Sequence, residues 1–346
     1  MKVLYVDISL SGHHLPYLKA LANPKNDNVY ILPEKNKDIS GKIYLLKYEK
    51  YDILSHLRWL KNVYKVAIKE HVQIVHFVFA DVLYKSFGIG LRKFKIFKVI
   101  VSFHRMENKA LKNVSRLLIL KKVKTMTTHI MGSEKLLPQR YRYKVHFVAY
   151  PSVLENYFFT VTEARKYLNI ETTFPVISVV GNMSEYKSID ILFDALSQIK
   201  IPFFLIIAGT PTFYSKEYIE QRISEISLPN KALLRFITDE EFVACIAASD
   251  IVAVPYSKMF EGTSGPMTEG IRLKKTIVGS NHSNIGKYIE NYKIGYACEA
   301  GDVYGLLHAI NNALTSPIIY TGCTDKLIEA QSIRGFRKKI NNLYIQ

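Results

Sequence analysis

The sequence has little cysteine and no long apolar run. Three cysteines in 346 residues, Cys245, Cys298 and Cys323, are too few and too scattered for a disulfide framework or a zinc site, so we expect a reducing, cytoplasmic compartment. The longest apolar runs, such as Ile201–Ala208, fall far short of the roughly 20 residues that span a bilayer. Asp7 also interrupts the apolar start, which is atypical of a signal peptide. Any membrane contact is expected to be peripheral.

Familiar nucleotide-binding motifs are missing as well. None of the glycine patterns matches a P-loop or a spaced dinucleotide fingerprint, which disfavours a kinase or a dehydrogenase. The composition, 48% hydrophobic and 22% charged, is otherwise that of a folded globular protein. A chain of this length favours two domains.

Acidic residues are scarce in the first part of the chain. Residues 1–150 hold 28 Lys+Arg against 10 Asp+Glu, a net charge of +18, whereas residues 151–346 hold 19 against 20. The first part is therefore expected to meet an anionic partner. Basic stretches with apolar residues suit an anionic membrane surface or a lipid-pyrophosphate acceptor, and they lie at His56–Lys69, Leu91–Lys98 and Arg116–Lys124. The alternative is that their apolar faces pack on a sheet. Nucleic acid is not predicted, because no binding module is recognisable.

Short apolar runs alternate with helical patterns along both parts of the chain, which predicts βα units and parallel sheets. The predicted strands are Met1–Ile8, Val29–Leu32, Ile74–Phe79, Val99–Phe103, His129–Gly132, Val145–Ala149, Val176–Val180, Phe203–Ala208, Leu233–Phe236, Ile251–Pro255 and Thr276–Val278. The pattern restarts after a polar stretch. It predicts two doubly wound domains, 1–155 and 172–330, with the alternative that a last helix at about 331–346 packs back on the first.

The densest cluster of special residues is Phe260–Gly270, after the strand that ends at Pro255. Its Gly-Thr-Ser-Gly-Pro run predicts a helix start, because proline suits the first helical turn. Free backbone N–H groups at such a start can bind a diphosphate. Glu261 lies in the loop and Glu269 on the first turns of the helix, so both can face one ligand. The alternative from spacing alone is a surface loop followed by a glutamate that the helix dipole favours.

Two further loops follow predicted strands. The segment Gly181–Asp190 contains Asn182 and Lys187 at the carboxyl end of a strand, where α/β folds bind ligands. Lys187 could neutralise a phosphate there, although a lone lysine before a helix is more often solvated. Gly209 follows the next strand and permits a close backbone approach.

Together these segments resemble the family 4 retaining glycosyltransferases, which have the GT-B fold of two Rossmann-like domains facing a central cleft. The matching pieces occur in the family's order through the second half, and they are the Gly181–Lys187 loop, Ala208–Gly209, Thr238–Glu241, Ala248–Asp250, Pro255, the pair Glu261-x7-Glu269, Val278–Ile285 and Gly295–Asp302. The first half resembles the family only loosely.

The resemblance implies a role for each matched residue. Glu261 would contact the hydroxyls of the donor sugar, and Glu269 the ribose of the nucleotide. The diphosphate would be held by Lys187, the Gly181 loop and the N–H groups around Ser264–Met267. The residues expected to bind the donor are Gly12, Gly181, Asn182, Gly209, Thr263, Ser264, Gly265 and Glu269. No metal or cofactor is implied, because fixed donors can stabilise the leaving group. Asn182 stands where the family usually has arginine, which puts more of that charge stabilisation on Lys187.

In the first half, two loops resemble family segments. Gly12, in Ser11-Gly12-His13-His14, lies where the family has a glycine-rich loop that approaches donor or acceptor. His13 and His14 are adjacent and are expected to point apart, so a metal pair is not predicted. His104, after the strand Val99–Phe103, matches the family's active-site histidine and would bind the reacting region of the sugar. The alternative for His104 is a packed histidine at a strand end.

The sequence therefore predicts a metal-independent enzyme that moves a hexosyl unit from a nucleotide sugar, with retention, to a saccharide or lipid-linked acceptor in surface polysaccharide synthesis. One alternative is a non-catalytic GT-B subunit of a transferase complex, which Asn182 motivates. Another is a nucleotide-sugar epimerase, whose small substrate would leave the basic first domain unexplained.

Overall fold

The fold is described by a computed structural model covering residues 1–23, 26–48 and 52–346. The chain divides into two compact units. The first comprises Met1–Val153 together with Ile333–Gln346, and the second comprises Leu154–Ser332. Each unit is built on one parallel sheet with helices. The predicted fold class, two doubly wound parallel-sheet domains, is confirmed.

The first sheet has seven strands among the described residues. They are β1 (Val3–Val6), β2 (Asn28–Leu32), β3 (Lys42–Leu45), β4 (Ile74–Phe77), β5 (Lys98–Phe103), β6 (Thr125–Thr128) and β7 (Val145–Phe147). All pair in parallel, in the order β3-β2-β1-β4-β5-β6-β7. The order reverses between β1 and β4. Sheets of this kind bind ligands at the carboxyl ends of the strands beside such a reversal.

The second sheet repeats this plan with six strands. They are β8 (Val176–Val180), β9 (Phe204–Ala208), β10 (Asn230–Leu233), β11 (Ile251–Val254), β12 (Thr276–Ser280) and β13 (Gly295–Cys298). Their order is β10-β9-β8-β11-β12-β13, again all parallel. The reversal lies between β8 and β11, so the loops after these two strands take the ligand-binding position of the second unit.

Helices separate the strands in both units. They are α1 (His14–Leu21), α2 (Ile53–Lys69), α3 (Ala110–Leu120), α4 (Gln139–Arg142), α5 (Val161–Tyr167), α6 (Ile189–Leu196), α7 (Lys216–Ile226), α8 (Asp239–Ala248), α9 (Gly265–Arg272), α10 (Ser283–Tyr292), α11 (Val303–Thr315), α12 (Gly322–Gln331) and α13 (Ile333–Ile345). Short 3-10 turns occur at Ala80–Leu83, Leu91–Ile96, Ser133–Leu136 and Glu185–Lys187.

Side-chain alternation along the strands gives the first sheet two buried faces. Leu4 and Val6 of β1 join one core, which contains Trp59 of α2 and Ile119 of α3. The intervening residues Val3 and Tyr5 join the opposite core, built with residues of α1 and α13. Both faces are covered, as all-parallel sheets require.

The last helix belongs to the first unit. Arg337 of α13 donates to the carbonyl oxygens of Ala20 and Lys19 at 2.8 and 2.7 Å, and Phe336 is fully buried. The segment that the sequence analysis left between its two domains contains α5. Thr160 and Glu163 form a capping box at the start of that helix.

Three strand assignments differ from those expected. The predicted strand His129–Gly132 is wrong, because the strand is β6, whose β-branched threonines are buried and include Thr127, hydrogen-bonded to Ser102 at 2.6 Å. The predicted strand Leu233–Phe236 is shifted, since β10 ends at Leu233 and Phe236 is exposed. Strand β3 is an edge strand without a buried residue, and no apolar run marked it.

Candidate functional site

In the second unit, the reversal of strand order brings together the loops after β8 and β11. The first loop ends in the 3-10 turn Glu185–Lys187, and the second leads into α9. The Ser257 N–H donates to the Tyr186 carbonyl at 2.9 Å, and the ring centroids of Tyr186 and Phe260 are 5.1 Å apart. Motifs that are some 70 residues apart in the sequence thus form one edge of the sheet.

Lys187 is buried at this edge rather than solvated. Its Nζ donates to the Val180 carbonyl at 2.6 Å and to the Tyr256 hydroxyl at 2.8 Å, and it lies 4.8 Å from the centroid of the Tyr256 ring. Burial lowers the pKa of Lys187 to about 8, since desolvation disfavours the charged form. These bonds use two of the three ammonium hydrogens, which leaves one for a ligand.

Tyr256 connects Lys187 to the start of α9. Its hydroxyl accepts from Lys187 and also from the Ser264 Oγ at 3.3 Å. The sequence analysis did not include Tyr256, although a residue with a polar tip just after β11 is placed where ligands bind.

The first turn of α9 is a candidate anion site. The Ser264 side chain caps the helix by accepting from the Met267 N–H at 3.3 Å, and Pro266 lies in the first turn. Within the part of the chain that the structure describes, the backbone N–H groups of residues 262–265 make no hydrogen bond. Four free donors before a helix attract an anion such as a diphosphate.

Glu261 lies directly before this run of free donors. It is partly buried, and its Oε2 is inaccessible to solvent and has no hydrogen-bond partner within the described residues. A buried carboxylate oxygen without a donor is unfavourable by about 1–3 kcal/mol or more. A ligand hydroxyl would supply the missing donor.

Glu269 is buried on α9 and is already paired. Its Oε2 lies 2.5 Å from the Arg272 Nε, and the Arg272 Nη2 donates to the Tyr157 carbonyl at 3.2 Å. Arg272 was not among the predicted site residues. The spacing of three residues on one helix, which places two side chains on the same face, was the available signal.

The remaining donor-site residues fall into two groups. Gly209 (φ +140°) contacts protein backbone, since a Cβ added there would lie 2.2 Å from the Gly181 carbonyl oxygen. Gly209 therefore packs the β9 turn against the Gly181 loop. Asn182 is exposed and Thr263 is partly buried, and their side chains make no hydrogen bond in the described structure.

His104 lies in the first unit, after β5, and is buried. Its Nε2 lies 3.1 Å from the Val78 carbonyl, and its ring stacks on Phe79 with 3.7 Å between centroids. Because a carbonyl only accepts, Nε2 carries the hydrogen and Nδ1 the lone pair. Burial first, and then the neighbouring His129 and His13, lower the pKa of His104 well below the usual histidine value. His104 is therefore neutral near pH 7.

The loop after β1 is open at Gly12 (φ +58°), where an added Cβ would meet no atom within 4 Å. The expectation that His13 and His14 point apart is wrong. Their ring centroids are 5.3 Å apart, because both rings pack near Phe79, and this contact outweighs the tendency of adjacent side chains at a helix start to diverge.

The three basic stretches are only partly surface features. Trp59 of α2 is buried in the core, so for that residue the alternative of packing on the sheet is correct. Arg116 is fully buried, with its guanidinium bonded to Tyr84, Asn113 and the Glu107 carbonyl. The basic side chains that remain exposed in these stretches are Arg58, Lys61, Lys65, Lys69, Arg92, Lys93, Lys95, Lys121 and Lys124.

Two features are absent from residues 1–23, 26–48 and 52–346. No helix there is both long and apolar enough to cross a membrane. No group of three or more His, Cys, Asp or Glu side chains there is arranged to hold a metal ion.

The family described as glycosyl transferases group 1 matches residues 160–330. That range covers nearly all of the second unit, including the edge that holds Lys187 and Glu261. This part of the chain is thus similar to the glycosyl transferases group 1 family. Transfer of a sugar is the activity that this match supports.

Solved structures resemble the chain over its whole length. HepE (Alr3699) of Anabaena, in complex with UDP and glucose, is 17% identical, with 99% of each chain covered and a TM-score of 0.70. A glycosyltransferase from Rickettsia africae is 17% identical, with 99% of this chain and 97% of that chain covered and a TM-score of 0.75. The lipopolysaccharide outer core galactosyltransferase WaaB is 14% identical, with 100% and 99% covered and a TM-score of 0.72. The predicted GT-B fold is confirmed.

Comparison with curated protein sequences finds no significant match. The likeness to solved structures concerns the fold alone.

Proposed function

We propose that the protein is a retaining glycosyltransferase that moves a hexosyl unit from a nucleoside-diphosphate sugar to a saccharide or lipid-linked saccharide, without a metal or another cofactor. One observation carries this proposal. The free N–H groups of residues 262–265 and the ammonium of Lys187 belong to one connected edge of the second sheet. Fixed donors of this kind can stabilise a leaving diphosphate without a metal.

Binding of the donor sugar is assigned to Glu261. Its unpartnered Oε2 needs a hydrogen-bond donor. A carboxylate close to phosphates is favourable only when sugar hydroxyls donate hydrogen bonds to it. Glu269 is assigned to the ribose, with Arg272 holding the carboxylate in place. In the first unit, His104 is assigned to the reacting region of the sugar, and its neutral imidazole can accept a hydroxyl hydrogen bond at Nδ1.

Asn182 offers hydrogen bonds but no charge at the loop after β8. Charge stabilisation at the leaving group is then assigned mainly to Lys187 and the α9 N-terminus. A non-catalytic subunit of a transferase complex remains the second candidate on this observation.

We propose that the acceptor lies at an anionic membrane surface, on the cytoplasmic face of the membrane. The transfer would then serve the synthesis of a bacterial surface polysaccharide. Supporting this, α3 exposes Leu111 (70%) and Val114 (49%) on the side that faces away from the core. Ile96 (61%) lies beside exposed Lys93 and Lys95 in the helical layer on the same face of the sheet. Apolar side chains among lysines suit adsorption to anionic headgroups.

The enzyme assignment is tested by nucleoside-diphosphate release from UDP-, GDP- and dTDP-sugars in EDTA. We expect turnover by the parent protein and a loss of about 10²-fold in Glu261→Gln, with UDP affinity unchanged. Glu299→Gln, at an exposed glutamate paired with Lys258, is the matched control and should behave like the parent.

The outcomes separate the candidates. If the parent protein binds none of these nucleotides, the enzyme assignment is wrong. Binding without turnover, even with saccharide acceptors, favours the non-catalytic subunit. Interconversion of free nucleotide sugars without transfer favours the epimerase.

The membrane assignment is tested by co-sedimentation with vesicles. Binding should require anionic lipid, fall with added salt, and weaken in Leu111→Ser/Val114→Ser. Binding that is independent of salt and of anionic lipid would contradict it.

A further inference from the structure

The first sheet carries a cavity at its amino edge, opposite the loops that follow β1 and β5. The cavity has a volume of about 480 Å³, and residues of three adjacent strands line it. Lys98 begins β5, Thr125 begins β6 and His146 lies in β7. Ligands of doubly wound sheets bind at the carboxyl edge, so this cavity is separate from the loops that hold Gly12 and His104. All of its lining residues belong to the first unit.

Cationic side chains dominate the wall of this cavity. Lys95, Lys98 and Lys124 line it, and none of its lining residues in the described part of the chain has an acidic side chain. Neither Lys95 nor Lys124 makes a hydrogen bond or an ion pair within residues 1–23, 26–48 and 52–346. The Lys98 ammonium donates to the Tyr344 carbonyl at 3.0 Å, which leaves two of its three hydrogens. Most of the ammonium donors at the cavity are therefore unused.

The lysines at this edge also repel one another. Burial first, and then the charge of Lys124, lower the pKa of Lys98. The same two causes lower the pKa of Lys144, whose ammonium donates to the carbonyl oxygens of Leu120 and Val123 at 2.9 Å each. Like charges held together disfavour the charged forms of the groups. A bound anion would offset this repulsion.

The neutral polar groups of the wall can donate hydrogen bonds as well. The hydroxyl of the buried Thr125 and the imidazole of His146 make no hydrogen bond in the described structure. Several donors beside three ammonium groups suit a phosphate group, which offers at least three acceptor oxygens and up to two negative charges. A carboxylate has two oxygens and one charge, so it would satisfy fewer of these donors.

Part of the wall is apolar, and the cavity has room for more than a phosphate group. Ile96 and Tyr143 line it and are 61% and 73% exposed. Phe97, which also lines it, is half-buried. Exposed apolar side chains beside lysines can contact the apolar part of a ligand while the lysines hold its charged group.

We propose that this cavity binds a phosphate group carried by a larger molecule with an apolar part. Two sources offer that chemistry, namely the headgroup of an anionic phospholipid and a soluble phosphate ester. The inference does not rest on the proposed glycosyl transfer, because the candidate diphosphate site belongs to the second unit and contributes no residue to this cavity.

The test follows the ring resonances of His146 by NMR while inorganic phosphate is added at constant pH and ionic strength. His146→Gln identifies these resonances. Burial first, and then Lys339, lower the pKa of His146. We expect a saturable shift of its resonances in the parent protein, because a phosphate bound beside the imidazole stabilises the charged form.

Lysine variants show whether the shift comes from the cavity. Lys98→Met/Lys124→Met should weaken phosphate binding by about tenfold or more, since it removes two charged donors. The matched control, Lys35→Met/Lys37→Met, should bind like the parent, because these exposed lysines precede β3 at the other end of the sheet.

A single variant guards against loss of the fold. The Lys124 side chain is exposed and unbonded in the described structure. Lys124→Met should therefore fold like the parent and still weaken phosphate binding by about three- to tenfold. Circular dichroism and melting temperature identify any variant that fails to fold.

Co-sedimentation with vesicles of equimolar phosphatidylcholine and phosphatidylglycerol distinguishes the two sources. Weaker vesicle binding by Lys98→Met/Lys124→Met than by Lys35→Met/Lys37→Met identifies a lipid headgroup. Equal vesicle binding by these two variants, with the phosphate response of the parent intact, identifies a soluble phosphate ester.

The inference is overturned if the His146 resonances of the parent do not move with phosphate up to about 50 mM. It is also overturned if they move equally in Lys98→Met/Lys124→Met. Release of nucleoside diphosphate from donor sugars is a separate measurement, so failure of the proposed function is distinguishable from failure of this inference.

Discussion

The two sheets share the strand order around their reversal points, yet their carboxyl edges carry different chemistry. The second offers backbone N–H groups and the buried ammonium of Lys187. The first brings together the Asp7 carboxylate, the imidazoles of His14 and His104, and Phe79. Fixed donors suit a diphosphate, whereas a carboxylate–imidazole pair suits a group that gives up a proton. The same architecture thus places free N–H groups and a buried ammonium at the edge of one sheet, and a carboxylate–imidazole pair at the edge of the other.

The half of the chain with the large positive net charge is not the half that holds the candidate diphosphate site. Residues 1–150 carry a net charge of +18, but many of their lysines lie on the helical layer, as Lys61 and Lys93 do. The second half is nearly neutral and holds the candidate diphosphate site. Free N–H groups and one buried lysine therefore predict a defined anion site, whereas the net charge of a domain predicts only a general attraction to anions.

The largest effect is expected from removing the ammonium at the anion-binding edge. Lys187→Met keeps the volume of the side chain but removes the charge beside the predicted diphosphate. We expect donor turnover to fall by about 10²–10³-fold, measured as nucleoside-diphosphate release, together with weaker UDP binding in calorimetry.

A second buried lysine provides the matched control. Lys275 donates to the Ala247 carbonyl at 2.7 Å, and burial also lowers its pKa to about 8, but it lies away from the loops after β8 and β11. Lys275→Met should alter stability while leaving UDP affinity unchanged. Equal loss of UDP binding in both variants would mean that burial of a lysine, not its position, matters.

Two glycines that the sequence analysis placed in ligand-binding loops differ in their surroundings. Gly209→Ala forces a Cβ against the Gly181 carbonyl at φ +140°, and we expect the free energy of unfolding to fall by about 3 kcal/mol or more. Gly12→Ala meets open space at φ +58° and should lose about 1 kcal/mol from backbone strain alone. Urea denaturation measures both. Similar losses in the two variants would contradict the difference between the loops.

The sequence predicted the fold class because each sheet is encoded locally, by apolar runs between helical patterns. It missed β3, whose residues are exposed or half-buried, and it displaced β6, whose buried Thr127 pairs through a hydroxyl that no hydropathy pattern shows. Lys187 was identified, but its burial was not, because this depends on Tyr256, almost 70 residues away. In the sequence, Asp7 stands out only as an interruption in an apolar run. Contacts between distant loops leave no local periodicity.

The smallest expected effect concerns pH and sharpens the contrast between the two buried lysines. Lys187 has its pKa lowered to about 8, so above pH 8 the free protein loses the charge that the diphosphate would contact. UDP affinity should therefore fall as pH rises from 7 to 9.5, by up to about tenfold per pH unit. Lys187→Arg, which keeps its charge, should weaken or abolish this dependence.

Stability should move in the opposite direction over the same range. The unfolded chain holds the proton of Lys187 up to about pH 10.4, so between pH 8 and that value the unfolded state binds more protons and the free energy of unfolding gains from rising pH. Lys275 makes the same contribution to stability but none to UDP binding. A loss of UDP affinity in this range, with urea midpoints that hold or rise, therefore reports deprotonation of Lys187 and not unfolding. Affinity that stays flat from pH 7 to 9.5 would remove Lys187 from the diphosphate site.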